Sequence, residues 1–235
     1  SWPIKNTKGI IIAGDYVFLK NNKKISLKDH LDNQNPDLSN PYLKTKPFSP
    51  CLWNSFTINL AQSIFLLKAK LSNNKSISLS KFYFPIENLK LYFHLFGNKG
   101  FIENQLLIPI DKWEQFCPYF LKLIEKYKLS TTVLSLKFFS GEDRLISFSG
   151  NGLSLTFDIP YSKNAIEFVK ILDRFNCNIG VKSNIIKDRR LSADIIMKQY
   201  DLEQFLDLIS ICQNDIYGPD IFKPCKSDLI RRITE

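Results

Sequence analysis

The chain has 235 residues, of which 44% are hydrophobic and 13% aromatic, and it carries a formal net charge of +9 at pH 7. This length and hydrophobic content allow a substantial buried core, and they exclude a disordered or fibrous protein. The basic residues are scattered along the whole sequence instead of forming one stripe, so nucleic-acid binding is the least favoured interpretation.

The cysteines and histidines exclude further kinds of site. The five cysteines stand far apart without a Cys-x-x-Cys pair, and the two histidines, His30 and His94, are isolated. This pattern argues against a disulfide framework and predicts that no metal is bound. Dispersed thiols are typical of a reducing compartment, so we expect a cytoplasmic protein.

The first predicted elements are a short buried strand at 9–13 and a polar, Asn- and Pro-rich connection at 21–50. Residues 47–67 form an uncharged run, but two prolines and several amides within it exclude a membrane-spanning helix. An amphipathic helix around 53–67 that covers a sheet is the favoured interpretation. Because the chain begins at Ser1 without a signal-like stretch, we expect further sequence upstream.

A strand and a helix are predicted next. The run at 101–109 predicts a strand whose alternate residues form two faces, neither of them wholly apolar. The helix is predicted at 111–127, with Asp111 as its N-cap and an apolar stripe along one side. Pro118 lies within this stretch and is expected to kink or divide the helix.

Two further strands, at 131–139 and 145–148, flank a polar turn and resemble a hairpin. The cleanest alternation of the sequence follows at 153–159, where every apolar residue falls on one face. The other face of this strand carries Ser154, Thr156 and Asp158. One face of the strand is therefore expected to pack against a core, and the other to remain polar.

The last part of the chain predicts a helix, a strand and two more helices. Ser162 is positioned to cap the first helix, which is expected to end at Asn176. A strand near 179–186 and helices at 192–200 and 202–212 follow. Because strands and helices are mixed without regular βαβ alternation, we predict an α+β domain, an antiparallel β-sheet with helices packed on one side.

Generic catalytic motifs are absent, since the sequence has no Walker loop and no nucleophile elbow. Three segments nevertheless carry a resemblance. They are Phe-Tyr-Phe-Pro at 82–85 followed by the strand at 101–109, Lys-Phe-Phe at 137–139 followed by 152–160, and Lys-Asp-Arg-Arg at 187–190. In this order and spacing they resemble the decaprenylphosphoryl-ribose oxidases, which belong to the vanillyl-alcohol-oxidase-type flavoproteins. The resemblance covers nearly the whole chain from Gly9 onward.

The resemblance implies an FAD-dependent oxidoreductase in which this chain supplies the substrate, or cap, domain. Residues 1–19 would end an FAD-binding domain or form an entry strand, 20–186 would form the substrate-binding domain, and 187–235 would return to the FAD-binding domain. Such enzymes oxidise a hydroxyl of a sugar, sugar-lipid or sugar lactone by hydride transfer to flavin N5. The glycine-rich loops that hold the FAD pyrophosphate have no counterpart here, so FAD is expected only with a partner or upstream FAD-binding region.

The resemblance also implies site residues. Lys187 matches a catalytic and cofactor-binding lysine, which would stabilise the anionic reduced flavin. The implied substrate-binding residues are Tyr83, Gln105, Lys137, Ser154 and Thr156. Ser154 and Thr156 depart from the family, which presents Asn and often Cys there, and Glu103 stands where an amide is expected. These departures change the set of hydrogen-bond donors offered to a sugar.

An alternative interpretation stays open, a non-enzymatic sugar- or glycolipid-binding module derived from such a domain. The lysines and Tyr83 also have a plain structural explanation, because most lysines are solvated surface residues and Tyr83 is equally suited to an aromatic core. The partners expected are a sugar or sugar-lipid and an FAD-binding domain in the same or another chain, without nucleic acid. No transmembrane segment is predicted, which leaves only a peripheral membrane contact open.

Overall fold

The computed structural model describes residues 50–71, 90–142, 146–187 and 190–211. Its strands are β1 (Phe101–Ile108), β2 (Val133–Phe139), β3 (Gly152–Pro160) and β4 (Lys182–Ser183). They form one sheet in the order β2-β3-β1-β4, and each neighbouring pair is antiparallel. The helices are α1 (Ser55–Leu71), α2 (Lys90–His94), α3 (Trp113–Lys126), α4 (Lys163–Ile179), α5 (Ala193–Gln199) and α6 (Leu202–Ile211).

One face of the sheet is packed against α3 and α4. Each of these two helices presents a stripe of apolar residues at helical spacing, and each of the two central strands presents its alternate apolar residues. The main contributors to this core are Leu106, Ile108, Phe116, Phe120, Leu155, Phe157, Phe168 and Leu172, all at most 3% exposed. The predicted α+β class with an antiparallel sheet is thereby confirmed.

The start of α3 differs from its prediction. Asp111 lies within a 3-10 turn, Ile110–Lys112, and the position before the helix is Lys112, which makes no side-chain cap. Asp111 as the N-cap is therefore wrong. Pro118 lies inside α3 and does not divide it. The proline removes one backbone donor, and Phe116 and Phe120 on either side of it are buried in the core that packs the helix on the sheet.

The predicted hairpin has a different second strand. Residues 146–148 form turns and bends, so the strand predicted there is wrong, and β2 instead pairs with β3 along its whole length. Ile146 packs against a second apolar cluster that includes Ile185 and Leu191. The alternation of apolar residues at 146–148 therefore comes from a loop that Ile146 attaches to this cluster, and not from a strand.

Helix α4 begins and ends at the residues that favour helix boundaries. The Ser162 hydroxyl accepts a hydrogen bond from the Ala165 N–H at 3.1 Å, which confirms the predicted N-cap. Gly180 adopts a left-handed conformation, with φ at 75°, directly after the helix. The helix therefore continues to Ile179, three residues beyond the predicted end.

The segment after β4 closes one edge of the sheet. Within β4, the Ser183 N–H donates to Gln199 Oε1 at 2.8 Å, and the Ser183 carbonyl accepts from the Tyr200 hydroxyl at 2.5 Å. Arg190 holds the same segment against α4, because its guanidinium binds both carboxylate oxygens of Asp173. Side chains from α5 and its C-terminal end therefore satisfy the outward backbone groups of β4.

Helix α1 forms where an amphipathic helix was predicted, but its apolar residues are largely exposed. Phe56 is 74% exposed and Leu71 72%, whereas Ile58 is buried. Contact with the rest of the described fold is made just before the helix, where the Trp53 ring packs against Tyr92. Its expected role as a cover of the sheet is therefore not observed. Within the described residues, no helix has the length and apolar character needed to cross a membrane.

Candidate functional site

The sheet face opposite α3 and α4 carries a band of polar and charged side chains. Successive residues of a strand point to opposite faces, so the register decides which side chains meet. Gln105 lies opposite Thr156, and Ser154 lies opposite Lys137. We call this surface the polar face, and its polar strand residues are Glu103, Gln105, Ser135, Lys137, Ser154, Thr156 and Asp158. Four of the predicted site residues are therefore neighbours.

Lys187 reaches the polar face from the turn that follows β4. Asn184 builds this turn, because its side-chain oxygen accepts from the Ile186 N–H and its carbonyl accepts from the Lys187 N–H, each at 3.1 Å. The Lys187 ammonium then forms an ion pair with the Glu103 carboxylate. A fifth predicted residue thus joins the site, and the sixth, Tyr83, lies outside the described residues.

The Gln105 amide is fixed from two sides. Its nitrogen donates to the Ser154 hydroxyl at 3.2 Å, and its oxygen accepts from the Asn184 amide at 2.8 Å. Ser154 is only 1% exposed, and its hydroxyl is the acceptor of this Gln105 hydrogen bond. Asn184 was missed from the sequence, although an asparagine at a strand end three residues before Lys187 is a recognisable turn signal.

Asp158 is the buried acid of the polar face. The Tyr92 hydroxyl donates to Asp158 Oδ2 at 2.6 Å and lies 2.7 Å from the Thr132 hydroxyl oxygen. Burial raises the pKa of Asp158 to about 6, and the nearby charge of Glu103 adds to this, although the Tyr92 hydrogen bond acts in the opposite direction. Burial and the Asp158 charge also raise the pKa of Tyr92. Tyr92 was missed because it lies on α2, far from Asp158 in sequence.

Two lysines approach the polar face from opposite edges of the sheet. Lys137 projects from the edge strand β2, and Lys187 comes from the turn beyond β4. Desolvation lowers the pKa of Lys137, and the positive charge of Lys187 lowers it further. The two cations are therefore close enough to influence each other across the polar face.

The raised pKa of Asp158 predicts a measurable pH dependence of stability. A carboxyl group whose pKa is higher in the folded state than in the unfolded state stabilises the fold when protonated, and this contribution is lost as pH rises through the folded pKa. Between pH 4.5 and 7.5 the loss amounts to about 2 kcal/mol. We expect Asp158→Asn to abolish this loss, because the amide does not titrate and its oxygen still accepts from Tyr92.

Urea unfolding of the wild type and Asp158→Asn at both pH values measures this difference. Asp207→Asn, a change at an exposed acid on α6, serves as the matched control and should leave the pH dependence of the wild type unchanged. A constant stability difference between Asp158→Asn and the wild type over this range would show that Asp158 does not titrate there.

Comparison with known proteins finds a distant similarity to part of a longer protein. No family model matches the chain. The chain is 26% identical over 162 residues to the decaprenylphosphoryl-beta-D-ribose oxidase of Mycolicibacterium smegmatis. This alignment covers 68% of the chain but 35% of the relative, so the matched region spans about a third of that protein's length. The chain is thus distantly similar to part of an oxidoreductase.

Proposed function

We propose that this chain forms the substrate side of an FAD-dependent oxidoreductase that oxidises a hydroxyl of a sugar, sugar-lipid or sugar lactone. The observation that carries the proposal is the convergence of Gln105, Lys137, Thr156 and Lys187 on the polar face. Distant similarity to an oxidase supports the redox assignment. Because that oxidase is much longer than the matched region, the FAD-binding region would come from another part of the same protein or from a second chain.

The described residues fit the reactive ring of a flavin better than its phosphates. Lys187 supplies an ammonium group that would stabilise negative charge on a reduced ring held against the polar face. Of the described glycines with positive φ, Gly97 and Gly100 share one turn, in which the Gly100 N–H donates to the Gly97 carbonyl, whereas Gly150 and Gly180 stand apart from it. They do not form a glycine-rich, phosphate-binding run. When bound, FAD would accept the hydride removed from the sugar. Its pyrophosphate would be held by the region that supplies the rest of the site.

The chain's own residues would bind and orient the sugar. Gln105 is locked by Ser154 and Asn184, so its remaining amide hydrogen is presented in a fixed direction. The Thr156 hydroxyl lies beside it in the register, half-buried, and offers both a donor and an acceptor. Such preorganised groups hold one hydroxyl-bearing carbon in place without having to become ordered on binding. Ser154 would act by positioning Gln105.

The experiment uses the protein isolated together with its FAD-binding region. Flavin absorbance is expected, and an oxidisable sugar added without oxygen should bleach it. Lys187→Met should slow the bleaching by about tenfold or more, because the cation that stabilises the reduced ring is removed. Stopped-flow absorbance at the flavin bands measures this rate.

Lys170→Met is the matched control, since Lys170 is an exposed lysine on α4 and pairs with Glu167. It should bleach as fast as the unmutated protein. If Lys187→Met bleaches the flavin as fast as the unmutated protein, Lys187 takes no part in the reaction. A protein that binds sugars but never carries flavin would instead support the non-enzymatic sugar-binding module.

A further inference from the structure

Asn184 connects two residues of the candidate site through hydrogen bonds of its backbone and its side chain. It follows β4 directly, and its N–H donates to the Gln105 carbonyl oxygen of β1 at 2.8 Å. Its side-chain nitrogen donates to Gln105 Oε1, also at 2.8 Å. Its side-chain oxygen accepts from the Ile186 N–H and its carbonyl oxygen from the Lys187 N–H, each at 3.1 Å. Asn184 therefore joins the Gln105 amide to the turn that carries Lys187.

The direction of the Asn184 side chain is set by the backbone of this turn. A backbone N–H can only donate, so the group that faces the Ile186 N–H must be the Asn184 oxygen. The Asn184 nitrogen then faces Gln105, and an amide nitrogen cannot accept a hydrogen bond. Gln105 must therefore turn its oxygen toward Asn184. One backbone donor thus orients two side-chain amides in succession.

The direction of the Gln105 amide gives the polar face a defined polarity. The Gln105 oxygen lies on the β4 side of β1, and its nitrogen lies on the β3 side, where it donates to the Ser154 hydroxyl at 3.2 Å. Gln105 is also opposite Thr156 in the register, and both residues are half-buried. A ligand oxygen bound on the β3 side of Gln105 would therefore meet an amide donor. A reversed amide would present its oxygen there instead.

We propose that Asn184 is a positioning residue, which fixes the polarity of the Gln105 amide on the polar face and holds Lys187 in the turn beside it. This inference rests on the proposed function in that Gln105 binds the sugar. It adds a residue that acts on the sugar through Gln105. Because the ion pair with Glu103 holds Lys187 a second time, Asn184 has its larger effect on Gln105.

Asn184→Asp tests the polarity of the Gln105 amide in the full protein. The introduced carboxylate still accepts from the Ile186 N–H, but it has no hydrogen to donate to Gln105. We expect the Gln105 amide to reverse and to donate to the carboxylate. In nuclear magnetic resonance spectra the Gln105 side-chain amide protons, identified by their loss in Gln105→Met, should then move to lower field, because hydrogen bonds to a carboxylate are shorter and stronger. Unchanged positions of these signals would overturn the proposal.

Asn184→Ala tests the hold on the turn. It removes the side-chain acceptor of the Ile186 N–H, so hydrogen exchange of the Ile186 amide should become about tenfold faster. Asn184→Asp keeps this acceptor and should leave the exchange rate within about twofold of the wild type. An exchange rate in Asn184→Ala equal to that of the wild type would overturn the role of Asn184 in holding Lys187.

Sugar binding tests whether Asn184 acts through Gln105. The probe is methyl β-D-ribofuranoside, because it is uncharged and is not repelled by the charge that Asn184→Asp adds. Asn184→Asp should raise its Kd about tenfold, whereas the same change introduced into Gln105→Met should alter Kd by less than about twofold. An equal rise of Kd in both backgrounds would overturn the proposal.

Asn151→Asp is the matched control for the added charge. Asn151 is exposed, and its side-chain oxygen accepts from the Gly141 N–H at 3.1 Å, a bond that the carboxylate keeps. It should change neither the Gln105 signals nor Kd. Reversal of the Gln105 amide in Asn184→Asp, in a protein that binds no sugar and reduces no flavin, would count against the proposed function alone. It would still confirm that Asn184 fixes Gln105.

Discussion

Replacement of Gly152 by alanine is expected to lower the free energy of unfolding by about 3 kcal/mol. Gly152 is the first residue of β3, where β1 passes so close that an added Cβ would lie 2.3 Å from the Ile108 carbonyl oxygen. The obstructing atom belongs to the backbone of a central strand and cannot turn aside as a side chain would. The end of the β1–β3 ladder must shift instead, and that ladder aligns Gln105 with Thr156. Urea unfolding followed by circular dichroism measures the loss.

Gly141→Ala is the matched control for this prediction. Gly141 is exposed, and an added Cβ would meet nothing within 4 Å. Its stability should stay within about 0.5 kcal/mol of the wild type. Equal stability of Gly152→Ala and the wild type would show that the close approach of β1 and β3 relaxes without cost.

Arg190→Met is expected to destabilise the fold by about 3–5 kcal/mol. The Asp173 side chain is 3% exposed, and two guanidinium nitrogens of Arg190 bind its two carboxylate oxygens. Methionine keeps most of the length and apolar contact of the arginine, but it leaves the buried carboxylate without this cation. Water cannot replace the lost partner at so buried a position, so the desolvation of the charge is no longer offset. Urea unfolding at pH 7.5 measures the difference.

Two further variants separate the charge from other effects of the change. Lys170→Met breaks an ion pair whose side chains are 60% and 57% exposed, and it should cost less than about 1 kcal/mol. Asp173→Asn introduced into Arg190→Met should recover part of the stability, because it removes the buried charge. If Arg190→Met costs no more than Lys170→Met, the Arg190–Asp173 pair does not hold the C-terminal segment in place.

The elements with strong local signals could be predicted from the sequence. Strict alternation identified β3 and its polar side chains, because the period of a strand is two residues and a buried face tolerates few exceptions. Ser162 fixed the start of α4 through its hydroxyl. Segments with mixed signals were predicted less well. Residues 146–148 look like a strand because Ile146 and Phe148 alternate, although the true partner of β2 begins at Gly152.

The composition of the candidate site depends on register and distant contacts, which the sequence does not encode locally. Alternation assigns Gln105 and Thr156 to a face, but only strand pairing places them opposite each other. Tyr92 reaches Asp158 across 66 residues of chain, and no period or motif links the two. The resemblance to a family indicated Lys187. The ion pair of Lys187 with Glu103 could not be inferred in the same way, because an amide is expected at position 103 in that family.

The side chains that cap β4 also block the pairing of a further strand with that edge of the sheet. A strand edge with free N–H and carbonyl groups invites pairing with another chain, but at Ser183 those groups are taken by Gln199 and Tyr200. Strand addition on that side would first require α5 to be displaced. Of the described strands, β2 forms the other edge of the sheet. A segment paired with the outer edge of β2 would run beside Lys137 and border the polar face on that side.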